Sequence, residues 1–166
     1  MSPLVDELLP PLFMPWQLIL LRLGGATVLC GLIGYERESA SRPAGLRTHM
    51  LIGLAAATYS IIMLHLIAQS DAFTGNVRTD PLRIIEALTS GIAFLAAGMI
   101  VFSQGKVHGL TTGTGMWLAA AIGLCVGLGL WPVALIVTVL ALIVIRALAY
   151  VEYKALETKK PEDGDG

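Results

Sequence analysis

Residues 114–150 read TGMWLAAAIGLCVGLGLWPVALIVTVLALIVIRALAY, and Arg146 is the only charged side chain among them. A helix needs about 20 apolar residues, at 1.5 Å rise each, to cross the roughly 30 Å hydrocarbon layer of a bilayer. This stretch holds nearly two such lengths. Trp131 and Pro132 divide it. Pro132 suits the first turn of a helix, where its missing N–H costs nothing. The reading is two spans, about Thr114 to Leu130 and about Pro132 to Tyr150, folded back as a tight antiparallel hairpin.

Toward the N-terminus three more runs have the same character: about Trp16 to Gly34, about His49 to Gln69 and about Arg83 to Phe102. The fold class is therefore all-α, a polytopic membrane protein built as a bundle of five transmembrane helices. Residues 1–150 make the transmembrane domain and residues 151–166 a short polar tail. Composition agrees, with 55% hydrophobic and 14% charged residues, against roughly 25% charged in soluble domains. A formal net charge of -1 leaves no basic footprint for nucleic acid. Cys30 and Cys125 lie inside apolar runs and read as small packing residues, not as a zinc site or a disulfide frame. No Lys or Arg precedes Arg22, so no signal peptide is expected.

Loop charge orients such a bundle, because the cytoplasmic side carries the excess of Lys and Arg. Arg37, Arg42, Arg47, Lys106, Arg146, Lys154, Lys159 and Lys160 fall on one side, and only Arg78 and Arg83 on the other. The N-terminus is expected outside and the C-terminus in the cytoplasm.

Ionisable residues within spans must pair, face a cavity or snorkel. Arg22 and Glu86 stand roughly 5–9 Å from the outer ends of the first and third spans, at 1.5 Å per residue. Their matching depth predicts an intramembrane charge pair. Asp80 precedes Pro81 and is expected to cap the third helix, with Arg83 beside it at the outer face. Asp80 and Glu86 are the weak candidates for a metal, since magnesium takes one or two carboxylates and keeps its waters. Arg83 between them argues against a dedicated cation site.

Most of the polar chemistry falls at the inner face. Pro43 and Gly45 break the chain there, and Glu36, Arg37, Arg42, Arg47, Thr48 and His49 stand on either side of the break. Lys106, His108, Thr111 and Thr112 join them from the next inner loop, with Thr111 or Thr112 expected to cap the fourth helix. Such a cluster suits a phosphate, a lipid headgroup or a partner's carboxylate. It also satisfies the simpler demands of positive-inside charge and helix capping. His49 and His108 lack the spacing of a metal site. Small residues recur at four-residue spacing in Ala119, Gly123 and Gly127, in Gly53 and Ala57, and in Ala93 and Ala97. They allow close helix approach, inside the bundle or at a homodimer seam.

Several of these stretches together resemble the MgtC/SapB family of bacterial inner-membrane proteins. The resemblance rests on Gly31–Glu38, Pro43–His49, Asp80–Arg83, Ser90–Gly98, Gly109–Thr112 and Trp117–Gly123, in order across about Leu21 to Leu130. The chain departs from the family pattern at Ala96, where glycine is usual, and at Gly113–Met116, where Ala-Ala-Ser usually precedes the tryptophan. It reads as a short form without the soluble C-terminal domain of longer members. The resemblance implies a role in magnesium limitation, acid stress or virulence, and for some members inhibition of the F-type ATP synthase. An older reading makes the family magnesium transporters. No nucleophile–base pair and no phosphate-cradling loop with its lysine is present in the sequence. The expected function is a non-enzymatic membrane regulator acting by helix contacts with a partner, possible as a homodimer, with no cofactor and magnesium left open. The alternatives are a magnesium or other ion transporter or channel formed by an oligomer, and a binding module for an anionic lipid or nucleotide at the cytoplasmic basic cluster.

Overall fold

The computed structural model describes residues 13–69, 80–103 and 106–157. They form five helices long and apolar enough to cross a membrane: α1 (Trp16–Ser39), α2 (Leu46–Ala68), α3 (Pro81–Met99), α4 (Leu110–Leu128) and α5 (Trp131–Glu157). The all-α reading holds, with one addition. A small antiparallel hairpin, β1 (Val101–Ser103) and β2 (Lys106–His108), stands where a plain loop was expected between α3 and α4. Helix α3 ends at Met99 rather than Phe102, because its 19 residues already cover about 28 Å at 1.5 Å each. The β-branched and aromatic residues beyond it, Val101 and Phe102, pair with His108 and Val107.

Helix ends follow local chemistry. Tyr35 to Ser39 contain no breaker, so α1 continues past Gly34 and carries Glu36, Arg37 and Glu38 on its last turns. It stops at Ser41, whose φ of 54° is left-handed. Ser41 N–H donates to Glu38 O at 2.9 Å and Arg42 N–H to Arg37 O at 3.0 Å, the paired bonds of a Schellman end. Pro43 and Gly45 then turn the chain. The Glu38 carboxylate accepts from Leu46 N–H at 2.7 Å, so the end of α1 caps the start of α2. At α3 the expected cap is present: Asp80 Oδ1 accepts from Leu82 N–H at 3.0 Å, with Pro81 in the first turn. At α4 the cap differs from expectation. The N-cap is Gly109 with φ 87°, and Thr111 and Thr112 already lie in the first turn. A Cβ on Gly109 would collide with Met99 O, so the hairpin's exit needs glycine for space as well as for φ.

Helices α4 and α5 form the expected tight hairpin. Gly129 (φ 83°) closes α4 with Gly129 N–H to Val126 O at 2.9 Å and Leu130 N–H to Cys125 O at 2.8 Å. Only Gly129 and Leu130 separate the helices, and Pro132 falls in the first turn of α5. Helix α5 continues past Tyr150 to Glu157, so the start of the expected tail is helical.

The core is a three-helix packing of α1, α2 and α4, with α3 against α4 and α2, and α5 against α4 and α1. The small-residue stripes of α2 and α4 face each other inside it. A Cβ on Gly123 would lie 2.8 Å from Gly53 Cα, and one on Gly127 would lie 2.7 Å from Ala57 Cα. Such backbone approach gives dispersion contact where lipid supplies no hydrophobic drive between helices. Cys30 packs into the same seam, its thiol on Ala119 O at 3.2 Å. Both departures from the family pattern lie at helix contacts: a Cβ on Gly113 would stand 3.2 Å from Ala96 Cβ, and one on Gly115 would stand 3.1 Å from His49 Nε2. Ala93 and Ala97 on α3 instead face outward, beside Phe94. Hydroxyls satisfy themselves on their own helices: Thr27, Thr58, Ser60, Thr89 and Thr138 each donate to the carbonyl four residues back.

Candidate functional site

The expected pair of Arg22 with Glu86 is not formed. Helix α3 packs on α4 and α2, not on α1. Arg22 therefore finds its partner on α4: its Nη1 donates to Gly127 O at 2.8 Å. A Cβ on Gly129 would stand 2.8 Å from Arg22 Nη2, so the guanidinium lies over the last turn of α4. A cation is favoured there, because the final carbonyls of a helix are unpaired and carry the negative end of its dipole. Glu86 is exposed on α3, as is Arg83. Asp80 is engaged as the α3 cap. Among the described residues no three His, Cys, Asp or Glu side chains gather closely enough to hold a metal ion.

The opposite end of the bundle holds the polar cluster, and the structure divides it. Glu36, Arg37 and His49 are buried, as is Thr112, while Arg42, Arg47, His108 and Thr111 are exposed and Thr48 is half-buried. Arg37 Nη2 donates to Thr111 Oγ1 at 3.2 Å, tying the end of α1 to the start of α4. The His49 ring shares a hydrogen bond through Nδ1 with Gly45 O at 2.9 Å. Three buried atoms are left without partners: Glu36 Oε2, Arg37 Nε and His49 Nε2. Of Lys106 only the backbone, in β2, is described.

Glu36, Arg37, Arg42 and Thr111 line one cavity of about 490 Å³ between α1, α4 and α5. Thr114 adds a hydroxyl. The remaining wall is apolar and descends along α5 through Leu148, Val144, Leu140 and Val137. Buried groups normally have hydrogen-bond partners, so a buried carboxylate oxygen and a buried guanidinium nitrogen without one, in side chains that line the head of an apolar groove, are the chemically distinctive feature of this protein. Thr114 and the α5 groove escape a sequence reading. Apart from Thr138 and Arg146 that span is apolar as far as Tyr150, so periodicity cannot show which face turns inward. Glu38 as the α2 cap was findable, since it lies at helix-end distance from the Pro43–Gly45 break.

Fold and site together define a multi-pass helical membrane protein with a closed small-residue core and a half-open polar chamber at one end. Comparison with known proteins agrees: the chain belongs to the MgtC family, whose model matches residues 23–154. Protein MgtC of Brucella abortus (strain 2308) is 40% identical over 127 residues, covering 76% of this chain and 49% of that protein. YhiD of Escherichia coli (strain K12), provisionally named a magnesium transporter, is 33% identical over 137 residues, covering 82% of this chain and 63% of that protein. The chain thus spans between about half and about two thirds of the length of these relatives. No solved structure matches it significantly.

Proposed function

We propose that this chain is a non-enzymatic regulator of the bacterial inner membrane, with its N-terminus outside and its C-terminus and the polar chamber in the cytoplasm. Its output is lateral helix contact with a membrane partner. The observation that carries this reading is the seam of α2 and α4. Backbone meets backbone at Gly53–Gly123 and Ala57–Gly127, which leaves no width for an ion along the axis of the described core. The apolar faces of α3 and α5 point outward, and only 11% of the α3 span is buried against 56% of α4. These faces are free for a partner, and the outward Ala93–Ala97 stripe of α3 suits either another membrane protein or a second copy. By family resemblance the partner proposed is the F-type ATP synthase, and the setting is magnesium limitation or acid stress. Loop charge supports the orientation.

A second reading has support in the provisional naming of YhiD as a magnesium transporter. Transport requires an oligomer, with the path between copies. Purified protein in liposomes enclosing a magnesium-sensitive dye separates the two. The regulator gives no influx above empty vesicles, whereas saturable influx lost on Glu86→Gln would overturn it. In inverted membrane vesicles, ATP-driven proton pumping should fall when the protein is present. Unchanged pumping removes the ATP synthase as partner.

A further inference from the structure

We propose that the chamber between α1, α4 and α5 is a binding site for a single phospholipid bearing a primary ammonium headgroup. Its phosphate is held by Arg37 and Arg42, its ammonium by Glu36, and one acyl chain lies in the α5 groove. The site requires nothing of the regulatory reading and stands or falls separately.

Glu36 and Arg37 are each 7% exposed, yet Glu36 Oε2 and Arg37 Nε have no hydrogen-bond partner. Glu36 and its sequence neighbour Arg37 attract each other through their charges, but Glu36 Oε2 accepts no hydrogen bond from it. Leaving a buried charged group unmet is costly, and both residues line the same cavity. A ligand that presents an acceptor to Arg37 and a donor to Glu36 meets both demands at once. Arg42 at the rim adds a second cation. The start of α4 adds the positive end of a helix dipole with no side-chain cap on it. Thr111 and Thr114 bring hydroxyls to the same lining. Two guanidiniums and a helix start outweigh one carboxylate and call for a phosphate, and the Glu36 oxygen without a hydrogen bond offers an acceptor to a cationic donor beside it. A phosphate with an ammonium two carbons away satisfies this pattern, and a quaternary ammonium, having no N–H, cannot donate to Glu36.

The groove states the rest of the ligand. Its α5 wall runs from Leu148 to Val137, about 16 Å along the axis at 1.5 Å per residue. That is about half of a roughly 30 Å hydrocarbon layer, the depth of one leaflet. Leu140, Val144 and Leu148 are exposed, so the groove opens sideways, toward lipid. The cavity of about 490 Å³ sits within the usual range of roughly 300–1,000 Å³ for small-ligand pockets. A polar head at the leaflet's surface and an apolar channel one leaflet deep have the shape of a lipid, not of a soluble anion.

The test uses the full chain, purified in detergent and exchanged with phosphatidylethanolamine, phosphatidylglycerol or phosphatidylcholine, and native mass spectrometry counts the lipids retained. One phosphatidylethanolamine should be retained, about tenfold more strongly than phosphatidylcholine, the margin of a charge-assisted hydrogen bond to Glu36. Glu36→Gln should erase that preference. Val144→Trp, on the open side of the groove, should abolish retention while the circular dichroism spectrum is unchanged. Arg42→Gln at the rim should weaken retention of every phospholipid without changing their order, which keeps the test readable if the buried Glu36 variant fails to fold. Equal retention of the ethanolamine and choline lipids, stronger retention of phosphatidylglycerol, or indifference to Val144→Trp would each overturn the proposal. Inorganic phosphate is the control for a soluble ligand. Thermal stabilisation by phosphate that is lost on Arg42→Gln but kept in Val144→Trp would reassign the chamber to a free anion.

Discussion

Arg22→Met should destabilise the bundle by about 1–2 kcal/mol, and Glu86→Gln should change it by less than about 0.5 kcal/mol. The Arg22 guanidinium donates to Gly127 O at 2.8 Å. A hydrogen bond involving a charged group contributes roughly 1.5–3 kcal/mol. The cation at the end of α4 adds roughly 0.3–1 kcal/mol through the helix dipole. Methionine keeps the apolar stem but leaves the carbonyl without this donor. Against that loss, the substitution removes a guanidinium from the membrane, which relieves part of the roughly 2.5–3.5 kcal/mol that a central charge costs. Arg22 lies near a helix end, so the relief is the smaller quantity and the balance stays destabilising. Unfolding in mixed micelles at rising dodecyl sulfate fraction, followed by circular dichroism, measures both variants and their combination. The two effects should add within about 0.5 kcal/mol, as separated sites do. A coupling above about 1 kcal/mol, or a Glu86→Gln loss as large as that of Arg22→Met, would restore the intramembrane pair and refute the assignment of Arg22 to the α4 terminus.

Gly123→Ala should cost at least 2 kcal/mol, roughly the scale of core overpacking, because the added methyl meets Gly53 backbone at 2.8 Å; the same micelle titration reads it. Gly24→Ala, where a Cβ meets nothing within 4 Å, is the matched control and should be neutral or stabilising. Ser41→Gly should raise stability by about 1 kcal/mol, since the left-handed conformation costs an L-residue roughly 1–2 kcal/mol and Ser41 sits at φ 54°. Arg37→Lys should insert normally yet lose function in a low-magnesium growth test, because lysine cannot reproduce a planar fork. Arg47→Lys, at an exposed position of the same cluster, should insert normally and lose function in the same growth test, which ranks it against the buried Arg37.

The number of spans, the α4–α5 hairpin, the Asp80 cap and the Pro43–Gly45 break were legible because each depends on local chemistry: apolar length, a proline in a first turn, an Asp before Pro. The partner of Arg22 was not. Equal depth in two helices is a necessary condition for a pair, and depth is what a sequence gives. Adjacency is set by which faces pack. Here the glycine and alanine seam draws α2 and α4 together, brings α1 against both, and leaves α3 outside with Glu86. Arg22 then meets a helix terminus, and backbone carbonyls leave no mark in sequence. The same limit hid the chamber. Glu36 and Arg37 could be assigned to the inner face, but that they are buried with open atoms depends on α5, whose uniform apolarity conceals its inward side.

This division also accounts for how the two ends of the molecule differ. At the α4–α5 turn, the chain closes with a two-residue link, and the half-buried Arg22 is met by Gly127 O. At the other end, a cavity of about 490 Å³ lies between α1, α4 and α5, and Glu36 and Arg37 are among its lining. A bundle that merely needed positive charge on one side would leave its arginines exposed around the turn between α1 and α2, as Arg42 and Arg47 are. Drawing Glu36 and Arg37 inside costs desolvation, which the Arg37–Thr111 hydrogen bond offsets in part while Glu36 Oε2 and Arg37 Nε stay without a partner. The proposed lipid would meet those two atoms, reaching the groove sideways from the bilayer and held by one leaflet's depth of α5 and by opposite charges at its head.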